Sequence, residues 1–157
     1  MPTRRQITRS CLGIFALAAV AVSGCSMPPS QTSALDANLL TFTTELRGSN
    51  EVPPNASLAS GSVDAVLNTS TNLLRWRASY SGLSGPATAA HFHGPAPIGA
   101  NAGVALPWPS PVTSPMEGRA ILTPAQVADL MAGRWYANIH TAANPGGEVR
   151  GQMTPRY

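Results

Sequence analysis

The chain's three histidines fall in two short stretches, Ala89-Ala90-His91-Phe92-His93-Gly94 and Tyr136-Ala137-Asn138-Ile139-His140-Thr141. In an extended chain residues two apart share a face, so His91 and His93 point one way and Phe92 takes the other, core-seeking side. In the second stretch Trp135, Ala137 and Ile139 form the apolar face, which leaves Tyr136, Asn138 and His140 on the polar one. Three neutral imidazoles meeting at a point, with a fourth position open to water, suit zinc or copper(II). His91, His93 and His140 are therefore the candidate ligands of a transition metal. A second reading of the same residues needs no metal: the imidazoles hydrogen-bond the backbone of nearby loops and hold them.

These side chains need a scaffold. After His140 the chain passes Asn144-Pro145-Gly146-Gly147, a strong turn signal, and returns as Glu148-Val149-Arg150-Gly151-Gln152-Met153. Val149 shares the core face with Ile139 only if the paired residues have an even index sum. The shortest reasonable loop then aligns His140 with Glu148, Asn138 with Arg150 and Tyr136 with Gln152. In this register Glu148 can orient His140 from behind, with Asn138 and Arg150 completing the polar ladder.

The remaining chain supplies strands. Leu74, Trp76, Ala78 and Tyr80 alternate with Arg75, Arg77 and Ser79, the period of a half-buried strand. Val63, Ala65 and Leu67 repeat the pattern less cleanly, and residues 68–72 can turn one run into the other. One helix is well marked, with Thr123 as N-cap, Pro124 at its first position, Gln126 three residues on and Gly133 past its end. Leu122 and Val127 can staple its start, and Val127, Leu130 and Met131 must pack on the sheet to hold so short a helix. Residues 94–116 form a Pro-rich loop around Trp108 with a short strand near 103–106. The expected fold is all-β, an antiparallel Greek-key-like β-sandwich with one short helix.

The front of the chain reads as an export segment. Arg4, Arg5 and Arg9 precede an apolar run from Leu12 to Val22 that is too short to span a bilayer comfortably, and Val22-Ser23-Gly24-Cys25 follows. That ending resembles the lipobox of bacterial lipoproteins, which implies a signal peptide over 1–24 and lipidation of Cys25. Two or three acyl chains anchor stably. Residues 25–39 then form the lipidated cysteine and a flexible tether, and 40–154 the folded domain. The expected location is the cell envelope, on the extracytoplasmic side of a bacterial membrane, by general export or by the twin-arginine route that Arg4-Arg5 loosely resembles.

Charge narrows the partners. The formal +3 comes from the export segment, beyond which seven arginines face seven acids, with no lysine anywhere. The arginines are scattered singly, which argues against nucleic acid. The two cysteines are Cys11 and Cys25, so the domain stands without an internal disulfide.

The segments Val52-Pro53-Pro54, Ala90-His91-Phe92-His93-Gly94-Pro95-Ala96 and Tyr136-Ala137-Asn138-Ile139-His140-Thr141, running into Pro145-Gly146-Gly147-Glu148-Val149-Arg150-Gly151-Gln152, resemble the CHRD domain. This module was first described in chordin and also occurs in bacterial exported proteins; the likeness runs from about Phe42 to Gln152. It implies no general activity, since in chordin the module belongs to a secreted growth-factor antagonist. The His-x-His pair is faintly similar to copper/zinc superoxide dismutases, yet the chain has no further histidine to complete their bimetallic set. No serine or cysteine sits in a recognisable catalytic setting, so the balance tilts toward a non-enzymatic binding module. Its ligand is then a metal or, in the metal-independent reading, an envelope protein or glycan.

Overall fold

The computed structural model describes residues 38–156. The export segment, Cys25 and residues 26–37 of the tether lie outside the described residues. From Leu39 the chain forms a meander of three nine-residue strands, β1 (Leu39–Arg47), β2 (Ser60–Asn68) and β3 (Leu73–Ser81). The sheet continues with β4 (Ala87–His93), β5 (Val104–Pro107) and β6 (Met116–Ile121), then β7 (Tyr136–Thr141), β8 (Val149–Gln152) and β9 (Thr154–Arg156). Among the described residues the one α-helix, α1, spans Pro124–Met131, and Gly48–Asn50 makes a single 3-10 turn.

All the pairings are antiparallel, in the order β5-β4-β7-β8-β1-β2-β3-β6, with β9 on β1 beside β8. The two layers expected of a sandwich are the halves of one curled sheet. Four strands separate β3 from β4, so a flat sheet would hold them about 24 Å apart at roughly 4.8 Å per strand. Instead Trp76 of β3 meets Phe92 of β4 edge to face, ring centroids 5.3 Å apart. The driving force is apolar burial: Val63, Ala65, Leu67, Leu74, Trp76 and Ala78, the alternating positions read from the sequence, are all buried on the inner face. Tyr80, at the end of that alternation, is only half-buried and instead donates its hydroxyl to the Val112 carbonyl at 2.9 Å.

Helix α1 starts as its sequence dictates. Gln126 N–H donates to Thr123 Oγ1 and Thr123 N–H to Gln126 Oε1, so the cap is reciprocal. Gly133, with φ of +67°, takes the left-handed position beyond the end. Leu130 is buried and Val127 packs against the core, but Met131 is 43 % exposed and does not hold the helix to the sheet.

The outer face of β7 and β8 departs from the expectation of an open polar face. Tyr136, Asn138 and Arg150 are each at most 3 % exposed. The Pro-rich loop lies over them: Ala96 N–H bonds the Arg134 carbonyl, Ala102 N–H the Tyr136 hydroxyl, and Asn101 reaches the Val52 carbonyl. Tyr136 and Arg150 tolerate this cover because the loop supplies partners at Ala100, Asn101 and Ala102.

Candidate metal centre

Strand β4 pairs with β7 so that His91 faces Asn138, His93 faces Tyr136 and Ala89 faces His140. The outward faces of both strands therefore coincide, and all three histidines share one site. One nitrogen from each lies within 4.8 Å of the others. At zinc–nitrogen distances of about 2.0–2.1 Å, tetrahedral ligands stand roughly 3.3 Å apart. His91 Nδ1 and His140 Nε2 stand 3.1 Å apart, joined by a hydrogen bond; a metal taken between them would displace the proton they share, His91 passing it to Nε2 or to water.

The partners of the rings dictate their tautomers. A carbonyl only accepts, so His140 Nδ1–H donates to the Pro145 carbonyl at 3.0 Å and His93 Nδ1–H to the Ala102 carbonyl at 3.0 Å. Both residues thus present Nε2 lone pairs. His140 Nε2 accepts from His91 Nδ1–H, whereas His93 Nε2 is buried with no protein partner. A buried lone pair aimed into a cluster of imidazoles is what a metal would satisfy, and a backbone carbonyl behind each ligand is the usual means of fixing its orientation.

Electrostatics favour the neutral form of His91 and His140. Burial, then the neighbouring His140 and His93, lower the pKa of His91. Burial also lowers that of His140, partly offset by its bond to Pro145, with His93 adding to the depression. Neutral imidazoles are the form that binds metal. On the far side of the site the His93 ring stacks flat on Tyr136, centroids 4.9 Å apart, and the Arg150 guanidinium sits 3.4 Å from the Tyr136 centroid.

The supporting residues read from the sequence take other roles. The β7–β8 register is as expected, with Asn138 on Arg150 and Tyr136 on Gln152. Yet Glu148 does not orient His140. The ladder's last pair is Ile139 with Val149, and beyond it the Glu148 carboxylate turns to the other face, fully buried. There Oε1 accepts from Ser57 Oγ and Ser84 N–H at 2.8 Å each, and Oε2 from Ser84 Oγ and Thr141 Oγ1 at 2.6 Å each. Four donors outweigh the single bond His140 could offer. Burial alone would raise this carboxyl's pKa, but the bonds from Ser84, Thr141 and Ser57 prevail and hold it at about 2.

Arg150 also bypasses the histidines, donating to Asn101 Oδ1 at 2.7 Å and the Ala100 carbonyl at 2.6 Å. It therefore anchors the loop whose Ala102 carbonyl aims His93. Asn138 stands beside His91 in the ladder, its Oδ1 buried without a partner. The groups that do orient the rings, the carbonyls of Pro145 and Ala102, escape sequence reasoning because a main-chain carbonyl carries no residue signature.

A buried acid was also missed. Glu51 is 6 % exposed, its Oε1 lacks a partner, and burial, opposed by Arg150 and by a Val52 backbone bond, pushes its pKa up to about 7. The point where a Cβ on Gly147 would stand is 2.4 Å from Glu51 Oε1 and 2.7 Å from Asn138 Nδ2, so this glycine, at φ of +131°, admits both side chains.

Comparison with curated proteins and with solved structures gave no match for this chain. Comparison with protein families gave one, the CHRD domain, over residues 42–153. The matched span takes in both histidine strands, the β7–β8 hairpin and the curled sheet that joins them. The chain belongs to the CHRD domain family.

Proposed function

We propose that this protein is a membrane-anchored, extracytoplasmic CHRD-domain lipoprotein that binds a transition metal, copper or zinc, through His91, His93 and His140. The observation that carries this reading is the trio of imidazole nitrogens within 4.8 Å of one another, with two of the rings held by backbone carbonyls so that Nε2 faces inward. The role is non-enzymatic binding, and the anchor is the lipid on Cys25. Calorimetric titration of the protein with copper(II) and with zinc tests it. One saturable metal per chain, lost in His140→Ala, is expected; no saturable uptake of either metal refutes it.

One set of observations favours the metal-independent reading. His140 ties down the 142–148 turn through Pro145 and His93 the Pro-rich loop through Ala102, as histidines serving a protein- or glycan-binding scaffold would. Here His140→Ala loosens the turn, seen as faster amide exchange near Pro145, whereas added metal leaves the unmodified protein's exchange unchanged.

A further inference from the structure

The strand register gathers a second surface far from the histidines. Leu39 lies in one cross-strand row with Asn68, Leu73 and Ile121, and the next row runs Arg156, Thr41, Val66, Arg75, Arg119. Directly opposed residues of antiparallel strands share a face, so both rows belong to the outer face of the β9-β1-β2-β3-β6 half. Three of the four apolar members are exposed, Ile121 at 78 %, Leu39 at 40 % and Val66 at 38 %, while Leu73 is half-buried. Arg75, Arg119 and Arg156 are exposed, and none has an ion-pair partner among the described residues. The row above returns to mixed charge, with Asp64, Arg77 and Glu117 side by side.

We propose that this face docks on the anionic surface of the bilayer in which the Cys25 lipid is inserted. Two observations choose that occupant over another protein. The described chain begins at Asn38, next to Leu39 in the patch itself, and the thirteen Cα-to-Cα steps from Cys25 to Asn38 reach at most about 45 Å. Apolar side chains flanked by arginines also match an acyl boundary lined with phosphates. Docking places the metal site outward. His91 is level with Asn138, Arg150 and thus Arg47, eight residues or about 26 Å along β1 from Leu39. For its orientation this inference rests on the reading of Cys25 as the anchor.

The test uses the lipidated protein reconstituted into vesicles of phosphatidylcholine alone or with added phosphatidylglycerol. An environment-sensitive fluorophore is placed at Val66→Cys or, as a control at the opposite end of β1, at Ser49→Cys. The expected result is quenching by brominated lipid at position 66 and not at 49, confined to vesicles containing phosphatidylglycerol. Each arginine near an anionic surface is worth about fivefold, so R75Q/R119Q/R156Q lowers the docked-to-undocked ratio on the order of a hundredfold. Equal quenching at the two positions, or quenching indifferent to the triple substitution, overturns the proposal. Shielding of position 66 that persists in detergent micelles assigns the face to a second copy and overturns it as well. Failure of the protein to float with phosphatidylcholine vesicles refutes the anchor alone, because docking is then still read as flotation with the phosphatidylglycerol vesicles.

Discussion

Glu148 is the position at which a single substitution separates most sharply what the structure assigns from what the hairpin register alone suggests. Its carboxylate ties the 57–59 loop, the turn at Ser84 and the end of β7 together through four short hydrogen bonds in a fully buried pocket. In Glu148→Gln the hydroxyls of Ser84 and Thr141 can rotate to accept from the new amide, so all four contacts survive without charge. Charge-assisted bonds are roughly twice as strong as neutral ones, each neutral bond contributing about 1 kcal/mol net, and shared lone pairs reduce their sum. The expected loss is about 2 kcal/mol at neutral pH. Glu148→Ala strips the acceptor from the Ser84 amide and leaves a cavity, for a loss of about 4 kcal/mol. The acid limb carries the same signature. A carboxyl whose pKa falls from 4.5 in the open chain to about 2 on folding stabilises above pH 4.5, and that contribution disappears as pH falls toward 2. Glu148→Gln flattens this part of the profile. Urea unfolding followed by the fluorescence of the buried Trp76, Trp108 and Trp135 measures both effects. A Gln variant as stable as the parent, with an unchanged acid limb, would refute the knot. So would a Gln variant of parental stability whose defect appears only in metal affinity.

Other outcomes follow from the same geometry. Glu51 behaves oppositely to Glu148: with its pKa raised to about 7, its contribution is full below pH 4.5 and lost as pH rises through 7, so Glu51→Gln should unfold at higher urea than the parent at pH 8. His140→Ala should weaken copper or zinc binding by more than the 10–100-fold typical of a supporting residue, while Glu148→Gln costs less than tenfold in calorimetric titration. Because burial lowers the His91 and His140 pKa values, the loss of metal affinity on acidification, followed by calorimetric titration, should set in at lower pH than it does for free imidazole. In Gly118→Ala the new methyl would stand 2.2 Å from the Trp76 ring on the neighbouring strand, a clash worth about 1–3 kcal/mol by thermal or urea unfolding.

Local chemistry makes much of this protein legible in its sequence. The cap of α1 could be read off Thr123, Pro124 and Gln126 because a capping box involves only near neighbours. The inward residues of β2 and β3 followed from a period of two, and the turn at 144–147 with one apolar pair set the register of β7 on β8. The same alternation put His91 and His93 on one face of β4 and His140 on the outward face of β7. It could not say that β4 and β7 are neighbours, since 42 residues and two strands intervene between them.

The all-β class, the short helix, the facing of β2, β3, β4, β7 and β8 and the identity of the three imidazoles were thus legible from local chemistry. All of these are properties of a residue and its neighbours within a few positions. Long-range packing set the rest: the sheet curls until Trp76 meets Phe92, and the Pro-rich loop buries the outer face of β7. That packing alone decided that Glu148 turns from His140 to a pocket of hydroxyls, and that backbone carbonyls aim the histidines. Each of those outcomes is a competition among partners distant in the chain, and the winner is set by which donors and acceptors the fold brings within 3 Å.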